Sequence, residues 1–266
     1  MSVNRSDICI GVATHKPYRM PDDSIYLPIQ VGKSLHPELD LGFAADDVGE
    51  NISSLNGEFS ELTALYWLWK NIDAEYKGLV HYRRHFKKAY SHESDRFALI
   101  ADEGSMVSAL EQAEVVLPKK RNYYIETIYS HYAHTFPCEQ LDELRIVLQE
   151  MCPDYIPAFD DLMKSKKAHM FNMFVMSKEK FDAYCSWLFP VLFELVERID
   201  PQKYGDAFQA RYPGRVSERL LDVWLNTNDI GYFELPVISP EPVDWPAKIK
   251  AFLAAKFMGK KYDKSF

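Results

Sequence analysis

The sequence predicts an α/β fold: a mainly parallel sheet flanked by helices, with a helix-rich carboxyl-terminal half. Three observations carry this. Ile8–Thr14 (ICIGVAT) and Gly78–Val80 are short apolar runs of the kind buried on both faces of a parallel sheet. Between them Leu62, Leu65, Trp69 and Ile72 follow helical spacing. After a second helical pattern, Glu114–Pro118 (EVVLP) repeats the strand signal, and strand–helix–strand–helix–strand order argues for α/β architecture.

The elements follow in order. The first strand stops at His15-Lys16-Pro17, because Pro17 pushes Lys16 out of the helical region. Residues 18–56 are loop-rich, with a short strand over Tyr26–Val31, and so long an irregular stretch is usually functional. Asn56 is expected to cap a helix over 57–72, with Glu58 facing the positive end of its dipole. A strand over 78–83 follows, then a helix over 105–113 and a strand over 114–118. Residues 122–165 read as helical, broken at Pro137, Pro153 and Pro157. His169–Ser177 reads as a strand and 178–199 as a long helix. Ser217 is expected to cap a helix over 218–228, and Tyr232–Ile238 to form a late strand.

The 266 residues suit one domain with a full core: 47% are hydrophobic and 26% charged. The net charge of -8 argues against general nucleic-acid binding, which needs a basic face. Cys9, Cys138, Cys152 and Cys185 are scattered, so a reduced cytosolic protein is expected. No apolar run suits a signal peptide or a membrane span.

Against that acidic background, Tyr76–Phe86 (YKGLVHYRRHF) stands out. A buried strand delivers His81, Tyr82, Arg83, Arg84 and His85 at its carboxyl end, where open α/β sheets bind ligands. Guanidiniums form two-pronged bonds to phosphate and stay charged. Strand alternation sends His81, Arg83 and His85 to one face, Tyr82 and Arg84 to the other. The plain alternative is an arginine pair bridging carboxylates. A zinc site at His81 and His85 lacks a third ligand, and the arginines repel a cation.

Three further segments carry polar groups. Asp46-Asp47-Val48-Gly49-Glu50-Asn51-Ile52-Ser53 suits a divalent cation, sugar hydroxyls, a pairing with Arg83 and Arg84, or a solvated turn. Glu61 lies in an otherwise apolar region and is expected to pair with Arg83 or Arg84. Glu218, opening a helix, is placed either as a general base or as a dipole partner.

With these segments the chain resembles a bacterial family of capsular and exopolysaccharide glycosyltransferases long catalogued as a domain of unknown function. The marks are VATHKP (12–17), YLPIQVG (26–32), DDVGENIS (46–53), ELTALYWLWKN (61–71), GLVHYRRHF (78–86), FNMFVMSKEKFDAYCSWLF (171–189) and SERLLDVWL (217–225). The resemblance implies a GT-A-like sheet and a UDP-sugar donor, with some members similar to galactofuranose transferases. It divides the single domain into a nucleotide-sugar part (1–121), an acceptor-side part (122–240) and a helical tail (241–266).

Under that resemblance Thr14, His15 and Lys16 are expected at the nucleotide, and Gln30, Val31 and Gly32 at the base pocket. Arg83 and Arg84, with His81, are expected on the diphosphate in place of the metal of Asp-x-Asp enzymes. No cofactor is therefore expected, with Asp46 and Asp47 as the residues that argue for a metal. Glu218, or second Asp47, is the expected base of an inverting displacement; His169 and Asn172 are expected at the acceptor. The acceptor is expected to be a lipid-linked or other oligosaccharide of capsule, exopolysaccharide or O-antigen synthesis. The tail (Lys248, Lys250, Lys256, Lys260, Lys261 and Lys264 among Trp245, Ile249, Phe252, Leu253, Phe257 and Met258) has a basic amphipathic pattern suited to an anionic membrane surface or to packing on the domain. Competing readings are a non-catalytic nucleotide- or carbohydrate-binding module and a metal hydrolase using His81, His85 and the Asp pair.

Overall fold

The computed structural model describes residues 7–89 and 94–241. The basic tail pattern lies outside them. The strands in chain order are β1 (Ile8–Thr14), β2 (Tyr26–Gln30), β3 (Ala44–Ala45), β4 (Tyr76–His81), β5 (His85–Phe86), β6 (Val115–Pro118), β7 (Arg121–Asn122), β8 (Lys167–Ala168), β9 (Phe174–Ser177), β10 (Phe233–Leu235) and β11 (Val237–Ile238). The helices are α1 (Asn56–Phe59), α2 (Leu62–Asn71), α3 (Glu103–Leu110), α4 (Ile128–Thr135), α5 (Glu139–Met151), α6 (Ile156–Lys164), α7 (Lys178–Arg198), α8 (Ala207–Ala210) and α9 (Tyr212–Thr227).

Seven strands form one sheet in the order β10-β6-β9-β4-β1-β2-β3. All run parallel except β9, which is antiparallel to both its neighbours. This is the mainly parallel sheet that the apolar runs predict. Alternation along each strand splits the core in two. Ile8, Ile10, Val12 and Val80 enter one cluster with Met106 and Leu110 of α3, while Ala13 and Leu79 enter the larger one beneath α2, α5, α6, α7 and α9. Gly78 lets β4 and β9 meet closely, since a Cβ there would lie 2.5 Å from the Phe174 carbonyl oxygen. Lys77, 1% exposed, is paired at 2.8 Å with Asp182 of α7. No helix among the described residues is long and apolar enough to cross a membrane.

Three expectations are corrected here, and all three corrections bear on the site. The helix expected over 57–72 is broken at Ser60, whose φ is 52°. Asn56 is therefore no cap; it lies inside α1 and donates its side-chain amide to the Ser60 carbonyl at 2.7 Å. The strand expected from His169 begins only at Phe174, because Phe171 and Asn172 both take positive φ, 79° and 49°. Ser217 does not cap its helix: α9 starts at Tyr212, with Pro213 in the first turn, where a missing amide hydrogen costs nothing. Ser217 is buried one turn further in.

Candidate active site

β1 and β4 are neighbours in register, Ala13 against His81, so Thr14 and the turn after His81 share the carboxyl edge of the sheet. The turn is tight. The Arg84 amide donates to the His81 carbonyl at 2.8 Å and the Arg83 amide to His81 Nδ1 at 3.3 Å. The alternation expected through His85 therefore ends at His81. Tyr82 and His85 turn inward and are buried, with His85 Nε2 3.2 Å from the Tyr82 carbonyl oxygen, while Arg83 and Arg84 stay half-buried.

Burial, and then the charges of Arg84 and Arg83, hold the His81 imidazole well below its ordinary range. Burial takes His85 down to about 4. The sequence reading of two imidazoles meeting an anion is thus corrected: both rings are neutral near neutral pH, and the charge of the turn belongs to the guanidiniums. Arg83 Nε is buried and has no hydrogen-bond partner among the described residues. The Arg83 guanidinium and the Lys16 ammonium lie 5.4 and 5.3 Å from the Tyr82 ring centroid. His15 is exposed beside them; burial of part of its ring, then the charges of Lys16, Arg211, Arg83 and His36, lower its proton affinity. Lys16, Arg83 and Arg211 make one cationic wall, with the His15 ring among them.

A second wall carries carboxylates. Glu61, delivered by the break at Ser60, accepts from Asn172 Nδ2 at 2.8 Å. Asn172 also donates to the Gly214 carbonyl at 3.0 Å and accepts from Ser217 Oγ at 2.9 Å. Glu218 accepts from the Phe171 amide at 3.2 Å and from Arg219 at 2.8 Å. Arg84 lies 4.5 Å from the Phe171 ring centroid, and its guanidinium feels both Glu218 and Glu61. Burial pushes the Glu61 carboxyl up; the charge of Glu218 adds to this, while Asn172 and Arg84 oppose it. The strained backbone at Ser60, Phe171 and Asn172 is concentrated at this wall, as at many functional sites.

Several expected site residues are occupied elsewhere. Asp46 is fully buried and accepts four hydrogen bonds, from the Gly32 and Lys33 amides at 2.9 and 3.1 Å and from the Ser53 and Thr63 hydroxyls. It clamps a loop and has no lone pair directed at a ligand. Gln30 donates to the Leu39 carbonyl and accepts from the Leu41 amide, so it too holds a loop. Thr14 donates to the Lys16 carbonyl at 2.8 Å and shapes the turn that presents Lys16. Gly32 has φ 69° and supplies its amide to Asp46. His169 is fully buried between Asp222 at 2.6 Å and Glu234 at 3.0 Å, an anchor for α9 and β10 with no ring nitrogen left for an acceptor. Asp47 is half-buried and makes no side-chain hydrogen bond or ion pair among the described residues. Arg211, which enters the cationic wall from the start of α9, was not singled out from the sequence; the following Tyr-Pro-Gly is the signal, since proline there marks a helix's first turn.

Among the described residues no three His, Cys, Asp or Glu side chains converge as a metal site. Asp46, with both oxygens fully engaged, does not fit the role of an Asp-x-Asp metal ligand. A recess of ≈ 200 Å³ lined by Arg19, Tyr26, Lys88 and Asp102 lies at the opposite end of β2. Its charges are paired internally, Arg19 with Asp95 and Lys88 with Asp102 at 3.0 and 2.9 Å, and it competes poorly with the cationic wall for an anion.

The sheet order defines a mainly parallel α/β domain, and its fold is similar to that of a glycosyltransferase. Over 88% of its length the chain is similar to the apo structure of the bifunctional glycosyltransferase WbbM, with a TM-score of 0.78 and 28% identity. The chain spans 45% of that protein's length. Residues 9–229 match the family model described as Domain of unknown function (DUF4422), and the chain belongs to that family. No curated protein matches it.

Proposed function

We propose that this chain is a glycosyltransferase that moves a sugar from a UDP-sugar to a hydroxyl of a glycan acceptor. One observation carries the proposal: at the carboxyl edge of the sheet Lys16 and Arg83 face the Tyr82 ring, and Arg84, next along the same turn, stands over the Phe171 ring, whose amide donates to Glu218 and whose neighbour Asn172 holds Glu61. The diphosphate lies against the first wall. Fixed guanidiniums stabilise the charge that gathers on the departing UDP, the role a divalent ion plays in Asp-x-Asp enzymes. The acceptor lies against the second wall, attacks the anomeric carbon from the face opposite UDP, and inverts it in one displacement. Glu218, placed first as base by the sequence reading, has both oxygens engaged, whereas Asn172 orients the acceptor side by holding Glu61. Galactofuranose is the first donor sugar to test, and capsule, exopolysaccharide or O-antigen oligosaccharides are the acceptors.

The test is a panel of nucleotide-sugars, with and without EDTA, scored by thermal stabilisation and nucleotide release. One UDP-sugar is expected to stabilise the protein and to release UDP with acceptor, EDTA making no difference. Arg83→Ala is expected to weaken UDP binding by about 10-fold or more, the cost of losing a charge-assisted bond or two. Binding without turnover by any acceptor refutes the enzyme reading in favour of a binding module, and absence of any nucleotide binding refutes both.

A further inference from the structure

We infer that Glu61, rather than Glu218, takes the proton from the acceptor hydroxyl; this rests on the proposed transfer reaction and names the base within it. The geometry separates the two carboxylates. Glu218 spends one oxygen on the Phe171 amide and the other on Arg219, itself 3% exposed. A carboxylate so tied is a poor proton acceptor. Glu61 accepts one side-chain hydrogen bond, on Oε1 from Asn172, with its own backbone amide as the other nearby donor, and no cation bonds it as Arg219 bonds Glu218.

The clamp around Glu61 is built from costly parts. Ser60 takes positive φ immediately before it, and Asn172 takes positive φ while fixed at three points by Glu61, Gly214 and Ser217. Without the break at Ser60, residues 57–72 would continue as one helix, as the sequence pattern suggests. The strain places a carboxylate at the sheet's carboxyl edge, within electrostatic reach of Arg84 from the β4 turn and Glu218 from α9. Its raised proton affinity suits a base working near neutral pH.

In the step, the acceptor O–H proton passes to the Glu61 carboxylate as the acceptor oxygen bonds to the anomeric carbon. The bond from that carbon to the β-phosphate oxygen breaks, and UDP leaves with the electron pair, facing Arg83 and Lys16. Glu61 then returns its proton to solvent.

Glu61→Gln, Glu61→Asp and Glu218→Gln are compared with the wild-type chain by UDP release with acceptor across pH, and by UDP affinity. Glu61→Gln is expected to lower kcat about 10²- to 10⁴-fold, the usual worth of a general base, to keep UDP affinity, and to lose the acid limb of the wild-type profile. Glu61→Asp is expected to recover part of kcat with a displaced acid limb. Glu218→Gln is expected to keep that limb. A Glu61→Gln kcat close to wild type overturns the assignment, as does loss of the limb in Glu218→Gln alone. If Glu61→Gln does not fold, the Glu61→Asp profile decides: a displaced limb supports the assignment and an unchanged one overturns it. Failure of the wild-type chain to transfer from any donor overturns the reaction and the base together, whereas an active wild type with an active Glu61→Gln overturns the base alone.

Discussion

Asp46 and Asp47 are adjacent and chemically alike, yet removing each has a very different expected cost. Asp46→Ala leaves the buried Gly32 amide and the part-buried Lys33 amide without their acceptor and deprives the Ser53 and Thr63 hydroxyls of theirs. The hydroxyls can rotate to other partners; the two amides cannot. An orphaned buried donor costs about 1–3 kcal/mol, with bonds to a charged acceptor at the upper end, and a part-buried one less, so about 2–4 kcal/mol of stability is lost. That is a large share of the roughly 5–15 kcal/mol of a typical domain. Asp47→Ala removes no side-chain bond and is expected to stay within about 0.5 kcal/mol of wild type. Urea unfolding followed by circular dichroism, with the slope checked for constancy, measures both. Because Thr63 sits two residues from Glu61 on the same chain segment, Asp46→Ala is also expected to impair any activity that needs Glu61. Equal midpoints for the two variants would refute the reading of Asp46 as a loop clamp and restore it as a candidate ligand of donor or metal.

Two further outcomes follow from single positions. Gly32→Ala is expected to cost about 2–4 kcal/mol in the same unfolding assay, because φ 69° is left-handed and the new Cβ would stand 2.6 Å from Asn56 Oδ1, disturbing the bonds Asn56 makes to Ser60 and Thr63. Glu61→Gln tests the linkage of charge and stability. A carboxyl with proton affinity raised in the fold favours folding only while protonated and loses that contribution as pH rises through its folded value. Removing the charge is therefore expected to raise the melting temperature above wild type at about pH 8, with the gap closing towards about pH 4, where both states hold the proton. A melting temperature below wild type at the higher pH contradicts the burial on which the shift rests.

What the sequence determined by itself is the layered frame. The apolar run of β1 needed no tertiary information, since Ile8, Ile10 and Val12 on one face and Ala13 on the other state burial on both sides of a parallel sheet. The segment through Arg83 and Arg84 was equally legible as a strand ending in charge at the edge where such sheets bind ligands. The long α7 was legible because its apolar residues recur over five turns and more. The site itself was decided by tertiary structure. Whether Asp46 faces a ligand or a loop depends on the amides of Gly32 and Lys33, groups every residue carries and no sequence pattern marks. Whether His81 and His85 are charged depends on burial and on the neighbouring arginines, which a linear spacing does not report. The break at Ser60 runs against helical periodicity; Gly214 of α9 packs there, where a Cβ would lie 3.3 Å from the Phe59 carbonyl oxygen. Local propensity fixes elements whose energy comes from their own side chains meeting one core. The meeting of Glu61, Asn172, Glu218 and Arg84, drawn from four segments far apart in the chain, is a property of packing, and only the folded molecule contains it.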